Sequence, residues 1–148
     1  MKKQHGFTLI ELLLVLAIIG IISAIAIPAL LGQRERAKAK AVQANVDAVA
    51  AECIRINDSA KENNKALTAD LVVSAVLALS NYSSATAKNP YDGTAGYAAT
   101  GTQNGLVKLV GGAVADSATG QSYSAVTITG YYLQGGANKS MIKVAGLD

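Results

Sequence analysis

The chain carries one cysteine, Cys53, one histidine, His5, and no tryptophan. A lone cysteine excludes an intrachain disulfide and a cysteine-rich zinc site. The single histidine precedes the first apolar segment, outside any packed core, so a nucleophile relayed through histidine is excluded as well. No G-x-G-x-x-G or G-x-x-x-x-G-K-[ST] loop occurs, which removes the common nucleotide cradles. Charge is scarce too. Charged residues make up 16% of the 148 positions, against about 25% in an average soluble domain. The net charge of +3 is too small for a nucleic-acid footprint. Nothing in this inventory calls for a metal or a cofactor.

What is plentiful is apolar surface, 51% of the residues, and it is concentrated. Residues 12–31 read LLLVLAIIGIISAIAIPALL, with Ser23 as the only polar side chain. As a helix this run reaches roughly 30 Å, enough to span a bilayer. Gly20 and Pro28 interrupt it. Proline removes a backbone donor and crowds the preceding turn, so a bend or loosened turn is expected near residues 24–28. Beyond Gly32 the pattern becomes one-sided. Val42, Val46, Val49, Cys53 and Ile56 recur at helical spacing, while Arg34, Lys38, Asp47 and Arg55 fall off that stripe. One helix from about residue 7 to 56 is expected, ended by Asn57-Asp58-Ser59.

A second helix is expected over 68–79, capped by Thr68, with Asp70 in its first turn and Leu71, Val72, Ala75, Val76 and Leu79 as its apolar face. Residues 81–148 hold 11 of the 14 glycines and all six tyrosines. Strands are expected at 106–110, 125–133 and 141–144. Gly111-Gly112 and Gly135-Gly136-Ala137-Asn138 suit the turns between them. Short links favour an antiparallel meander. Its apolar face needs one cover, and the stripe from Val42 to Ile56 supplies it.

The most informative residues are Gly6-Phe7-Thr8-Leu9-Ile10-Glu11. Taken alone, they fit a plain membrane anchor. They also fit a secretory signal cut after Ala24-Ile25-Ala26. A carboxylate at the edge of an apolar run is costly to carry into lipid, about 2.5–3.5 kcal/mol near a helix centre. A plain anchor gains nothing from Glu11.

The segment closely resembles the class III signal of type IV pilins and pseudopilins over residues 1–40: Gly6 before the cut, Phe7 after it, Glu11 as the fifth mature residue, and Gly20 and Pro28 within the helix. The resemblance implies cleavage between Gly6 and Phe7 by a prepilin peptidase and N-methylation of Phe7. It implies pairing of Glu11 with the new amine of a neighbouring subunit, and helix breaks at Gly20 and Pro28 in the filament. It divides the chain into a leader (1–6), a transmembrane and filament-core helix (7–31) and a globular domain (32–148). The fold class is α+β and pilin-like, with the hydrophobic half of the helix protruding and the amphipathic half packed on a C-terminal antiparallel sheet.

The function implied is that of a major structural subunit of a type IV pilus-like filament serving adhesion, motility or DNA uptake, and not an enzyme. Its partners would be identical subunits, the peptidase, the pilus assembly machinery and the inner membrane, with no nucleic acid bound specifically. A bacterial precursor would wait in the inner membrane and end as a surface filament. Two alternatives remain: a type II secretion or competence pseudopilin, and a membrane-anchored extracytoplasmic binding domain. Counting Lys and Arg alone, the positive-inside rule puts the C-terminal side in the cytoplasm; the motif requires the reverse, because the peptidase cuts on the cytoplasmic face. Arg34, Arg36, Lys38 and Lys40 would then meet headgroups, or Glu35, Asp47 and Glu52 of neighbours. Asp92 and Asp116 are weighed as calcium ligands against a plain turn, with the turn favoured.

Overall fold

The computed structural model describes residues 6–82 and 87–147. The first five residues of the expected leader lie outside them. The elements run α1 (Leu9–Glu62), α2 (Ala69–Ala78), β1 (Tyr97–Ala98), β2 (Val107–Ala115), β3 (Ser122–Gln134) and β4 (Ala137–Gly146). The strands form one sheet in the order β1-β2-β3-β4. β2, β3 and β4 are antiparallel as expected, while the two-residue β1 joins β2 in parallel, so the sheet is mixed. A long N-terminal helix followed by this sheet is the α+β, pilin-like arrangement. Contacts divide the chain into two compact units, Met1–Glu35 and Arg36–Asp148.

In the first unit the helix continues through Gly20 and Pro28 without interruption. The loosened turn expected near 24–28 is absent from this single chain. Pro28 withdraws only one donor from the ladder, and the apolar residues on both sides carry the helix past it.

The second unit has its own core. Val42, Val46, Val49 and Cys53 are fully buried on the α1 stripe, joined by Ala50. Ile56 is only partly buried. Opposite them stand Val107, Leu109, Val126 and Ile128 of the sheet. Gly130 of β3 makes the approach possible: a Cβ there would come within 2.6 Å of Val46 Cγ2 and 2.9 Å of Val42 Cγ1.

The helix does not stop at Asn57-Asp58-Ser59 but runs on to Glu62. Asn57 is buried, and its Nδ2 donates to the Leu147 carbonyl at 2.8 Å. A polar side chain so satisfied can stay inside a helix. The stop comes at Asn64, with φ of 53°, after the Lys65 N–H has bonded back to the Ala60 carbonyl. This is the left-handed exit that asparagine tolerates.

The second helix buries Val72 and Val76 as expected, but its face is rotated towards Ala69 and Val73. Ala69, Val72, Val73 and Val76 are buried, and Leu71 is exposed. Thr68 occupies the N-cap position without a side-chain cap bond. The cause lies in the sheet. A Cβ on Gly111 would reach within 2.6 Å of the Ala69–Asp70 backbone, so the first turn of α2 rests directly on β2. Gly111-Gly112 is therefore interior to a strand rather than a turn. The actual β2–β3 turn is closed by Asp116 N–H to Gln121 O and Gly120 N–H to Asp116 O, both 2.8 Å. Gly135 and Gly136, with φ of 62° and 74°, alone make the β3–β4 turn. Ala137 and Asn138, expected in that turn, already belong to β4. Positive φ at both positions is what a tight two-residue hairpin requires.

Candidate functional site

Residues 6–8 precede the helix in non-helical conformation, and Phe7 is 77% exposed. The Gly6–Phe7 peptide bond thus lies in an open segment of the kind a peptidase can seat. Directly after Phe7, Thr8 forms a capping box with Glu11. Glu11 Oε2 accepts from the Thr8 N–H at 3.1 Å and from Thr8 Oγ1 at 2.8 Å, and the Glu11 N–H donates to Thr8 Oγ1 at 3.3 Å. Reciprocal bonds of this type satisfy donors that a helix start leaves open. A cut before Phe7 would leave the box intact and place the new amine two residues ahead of a helix already capped. The box is readable in the sequence as T-L-I-E, the pattern S/T-x-x-E, although the spacing of Glu11 from the cut draws the eye first.

From Leu9 to Leu31 the large apolar side chains are exposed, among them Ile10, Leu13, Ile21 and Ile25. The helix that carries them is long and apolar enough, by length and composition, to cross a membrane.

Other residues singled out in the sequence have local employment. Asp47 pairs with Lys143 of β4 and Glu52 with Arg55, so these carboxylates, expected to meet neighbouring subunits, are already used within the chain. Lys38 Nζ lies 5.0 Å from the centre of the Tyr91 ring. Asp92 accepts from the Thr94 N–H and Oγ1, and Asp116 from the Ala118 N–H and Thr119 Oγ1. These bonds hold both carboxyls below the usual carboxylate range. The two aspartates close separate turns, and among the described residues no three side chains group as metal ligands. Burial, helped by the charge of Glu52, pushes the Cys53 thiol up to about 11, which marks an inert packing residue rather than a nucleophile.

A cluster missed by sequence reasoning ties down the 87–105 connection. Asn89, buried, donates from Nδ2 to the Asn104 carbonyl and accepts the Tyr91 N–H at Oδ1, both at 2.8 Å. The Leu133 N–H donates to Tyr91 Oη at 3.0 Å. Gly105, at φ of 89°, leaves the space that Asn89 fills.

Comparison with known proteins bears on the same N-terminal segment. The model of the prokaryotic N-terminal methylation motif matches residues 1–27. The type IV wide pilus major component PilA4 of Thermus thermophilus is 46% identical over 68 residues, 45% of this chain and 52% of that protein. The type II secretion system core protein G of Escherichia coli is 49% identical over 41 residues, 27% of this chain and 28% of that protein. A fimbrial protein of Pseudomonas aeruginosa is 75% identical over 28 residues, 19% of this chain and 18% of that protein. The matches thus span about half the length of the first relative and less of the others. No solved structure matches the chain. The motif, the capped apolar helix and the helix-on-sheet unit together give the chain a pilin-like arrangement. The chain thus carries the prokaryotic N-terminal methylation motif and is similar both to type IV pilins and to type II secretion pseudopilins.

Proposed function

We propose that the chain is a structural subunit, not an enzyme, and that it is the major component of a type IV pilus-like surface filament. The observation that carries this reading is the 68-residue similarity to a pilus major component, more than twice the length of the 27-residue motif. The precursor is anchored in the inner membrane by its apolar helix, cut between Gly6 and Phe7 and methylated on the Phe7 amine. The Glu11 carboxylate then pairs with the amine of an incoming neighbour, which fixes register more than it adds stability. In the filament the helix loosens between Gly20 and Pro28, where packed neighbours, unlike lipid, tolerate free backbone groups. Partners are identical subunits, the prepilin peptidase and the assembly machinery.

The second reading, a type II secretion pseudopilin, is favoured by the matches to core protein G from Escherichia coli and Pseudomonas aeruginosa. Electron microscopy of filaments sheared from cells, with mass spectrometry of their subunit, separates the two. Long filaments built of this chain support the pilus; none, together with loss of secreted enzymes on deletion, supports the pseudopilus.

A further inference from the structure

Arg36, Lys40 and Gln43 follow one another at i, i+4 and i+7 on α1. With Ala39, Tyr132 and Gln134 they line a recess of about 360 Å³. Tyr132 and Gln134 come from the C-terminal end of β3. No carboxylate lines the recess. Asp47 and Glu52 are engaged elsewhere, and neither Arg36 nor Lys40 has an ion-pair partner among the described residues. Two like charges one helical turn apart repel, and an anion set between them relieves that repulsion. The remaining lining supplies two amides and a phenol, groups that both donate and accept hydrogen bonds. Such a set suits a phosphate whose other substituent carries hydroxyls: the cations take the phosphate oxygens and the amides take the hydroxyls.

The sequence indicates where that phosphate comes from. Arg36 follows Leu31, the end of the apolar run, by five residues of the same helix. That is roughly 8 Å of rise, the depth of a headgroup layer beside a membrane-spanning segment. We infer that this recess binds the headgroup phosphate of an anionic glycerophospholipid, of the phosphatidylglycerol type, while the subunit is held in the membrane. The inference rests on the membrane-anchored precursor proposed above.

The test uses the full chain reconstituted in phosphatidylcholine vesicles doped with phosphatidylglycerol, then extracted in mild detergent, with retained lipid read by native mass spectrometry. Arg36, Lys40, Gln134 and Arg34 are all exposed, so their substitution leaves the core untouched. Wild type should retain phosphatidylglycerol in preference to phosphatidylcholine. Arg36→Gln should lower that retention about tenfold, the worth of one charge-assisted contact. Gln134→Ala should lower it without any change of charge, and Arg34→Gln, outside the recess, should leave it unaltered. Equal losses from Arg34→Gln and Arg36→Gln with Gln134→Ala silent would mean diffuse surface charge and overturn the inference. Displacement of the lipid by inorganic phosphate alone would also overturn the lipid assignment in favour of the free ion. A chain that enters vesicles but shows no lipid preference sinks only this inference; a chain that fails to enter them sinks the anchored-precursor reading as well.

Discussion

Glu11 is bonded within its own chain before any neighbour arrives. Its capping contacts with Thr8 and its proposed pairing with a neighbour's amine draw on the same carboxylate, and two substitutions separate them. Glu11→Gln keeps a carbonyl acceptor for the cap but loses the charge; cleavage at Gly6 should persist and filament yield should fall several-fold. Undiminished yield on shear preparations would show the charge to be dispensable. Thr8→Val removes the cap hydroxyl and should cost the helix start about 1 kcal/mol, seen as faster amide exchange over residues 9–12 and not as lost cleavage. The Thr8–Glu11 pair lay within reach of the sequence because the two stand three positions apart, although Glu11 stood out through the resemblance of its segment. Asn57 and Tyr91 lay beyond that reach, because what satisfies them, Leu147 and Leu133, lies 90 and 42 positions away. Gly105 belongs with them. Gly105→Ala must hold a strained φ and displace Asn89, and should lower stability by about 2–3 kcal/mol in urea melts. An unchanged midpoint would show that the 87–105 connection does not depend on this fit.

Between elements, the interface of α1 with the sheet is the part the sequence made plainest. A stripe at helical spacing has few interpretations, and Val42, Val46, Val49 and Cys53 are buried as the spacing requires. Each buried side chain contributes about 1.5–3 kcal/mol. Val49→Asp would strand an unpaired charge there and should unfold the second unit, with loss of soluble signal in circular dichroism. The thiol of Cys53 should react slowly in native protein and readily after denaturation. Alkali supplies a further test. Burial raises Cys53 from 9.0 to about 11 and Tyr97 from 10.0 to about 12. Between those limits the unfolded chain loses protons that the folded chain keeps, so stability is full below the unfolded values and declines as pH rises through the folded ones. Melting midpoints should therefore fall from about pH 9 upward, less steeply in Cys53→Ala. A flat profile would mean that neither group is shielded from solvent. What the sequence obscured at this scale was the meaning of glycine. Gly111-Gly112 reads as a turn, yet Gly111 is a gap in β2 into which the backbone of α2 settles. The same contact turns the helix so that Val73 is buried instead of Leu71. Neither effect has a local signal.

For the whole molecule, the position of the mature N-terminus decides among the readings of the leader. N-terminal sequencing of assembled protein should begin at N-methylated Phe7. A start at Ile27 would indicate an ordinary signal peptide and would remove the apolar helix from the mature chain. The second unit, Arg36–Asp148, holds its 87–105 connection by hydrogen bonds from Asn89 and Tyr91, and the chain's only thiol is sealed in its core. Its maturation is consequently indifferent to redox state. Cells lacking the envelope's thiol-oxidising enzymes should accumulate this subunit at normal levels, and the same unit expressed without its apolar helix should fold in a reducing cytosol, where a disulfide-closed domain of this size would stall.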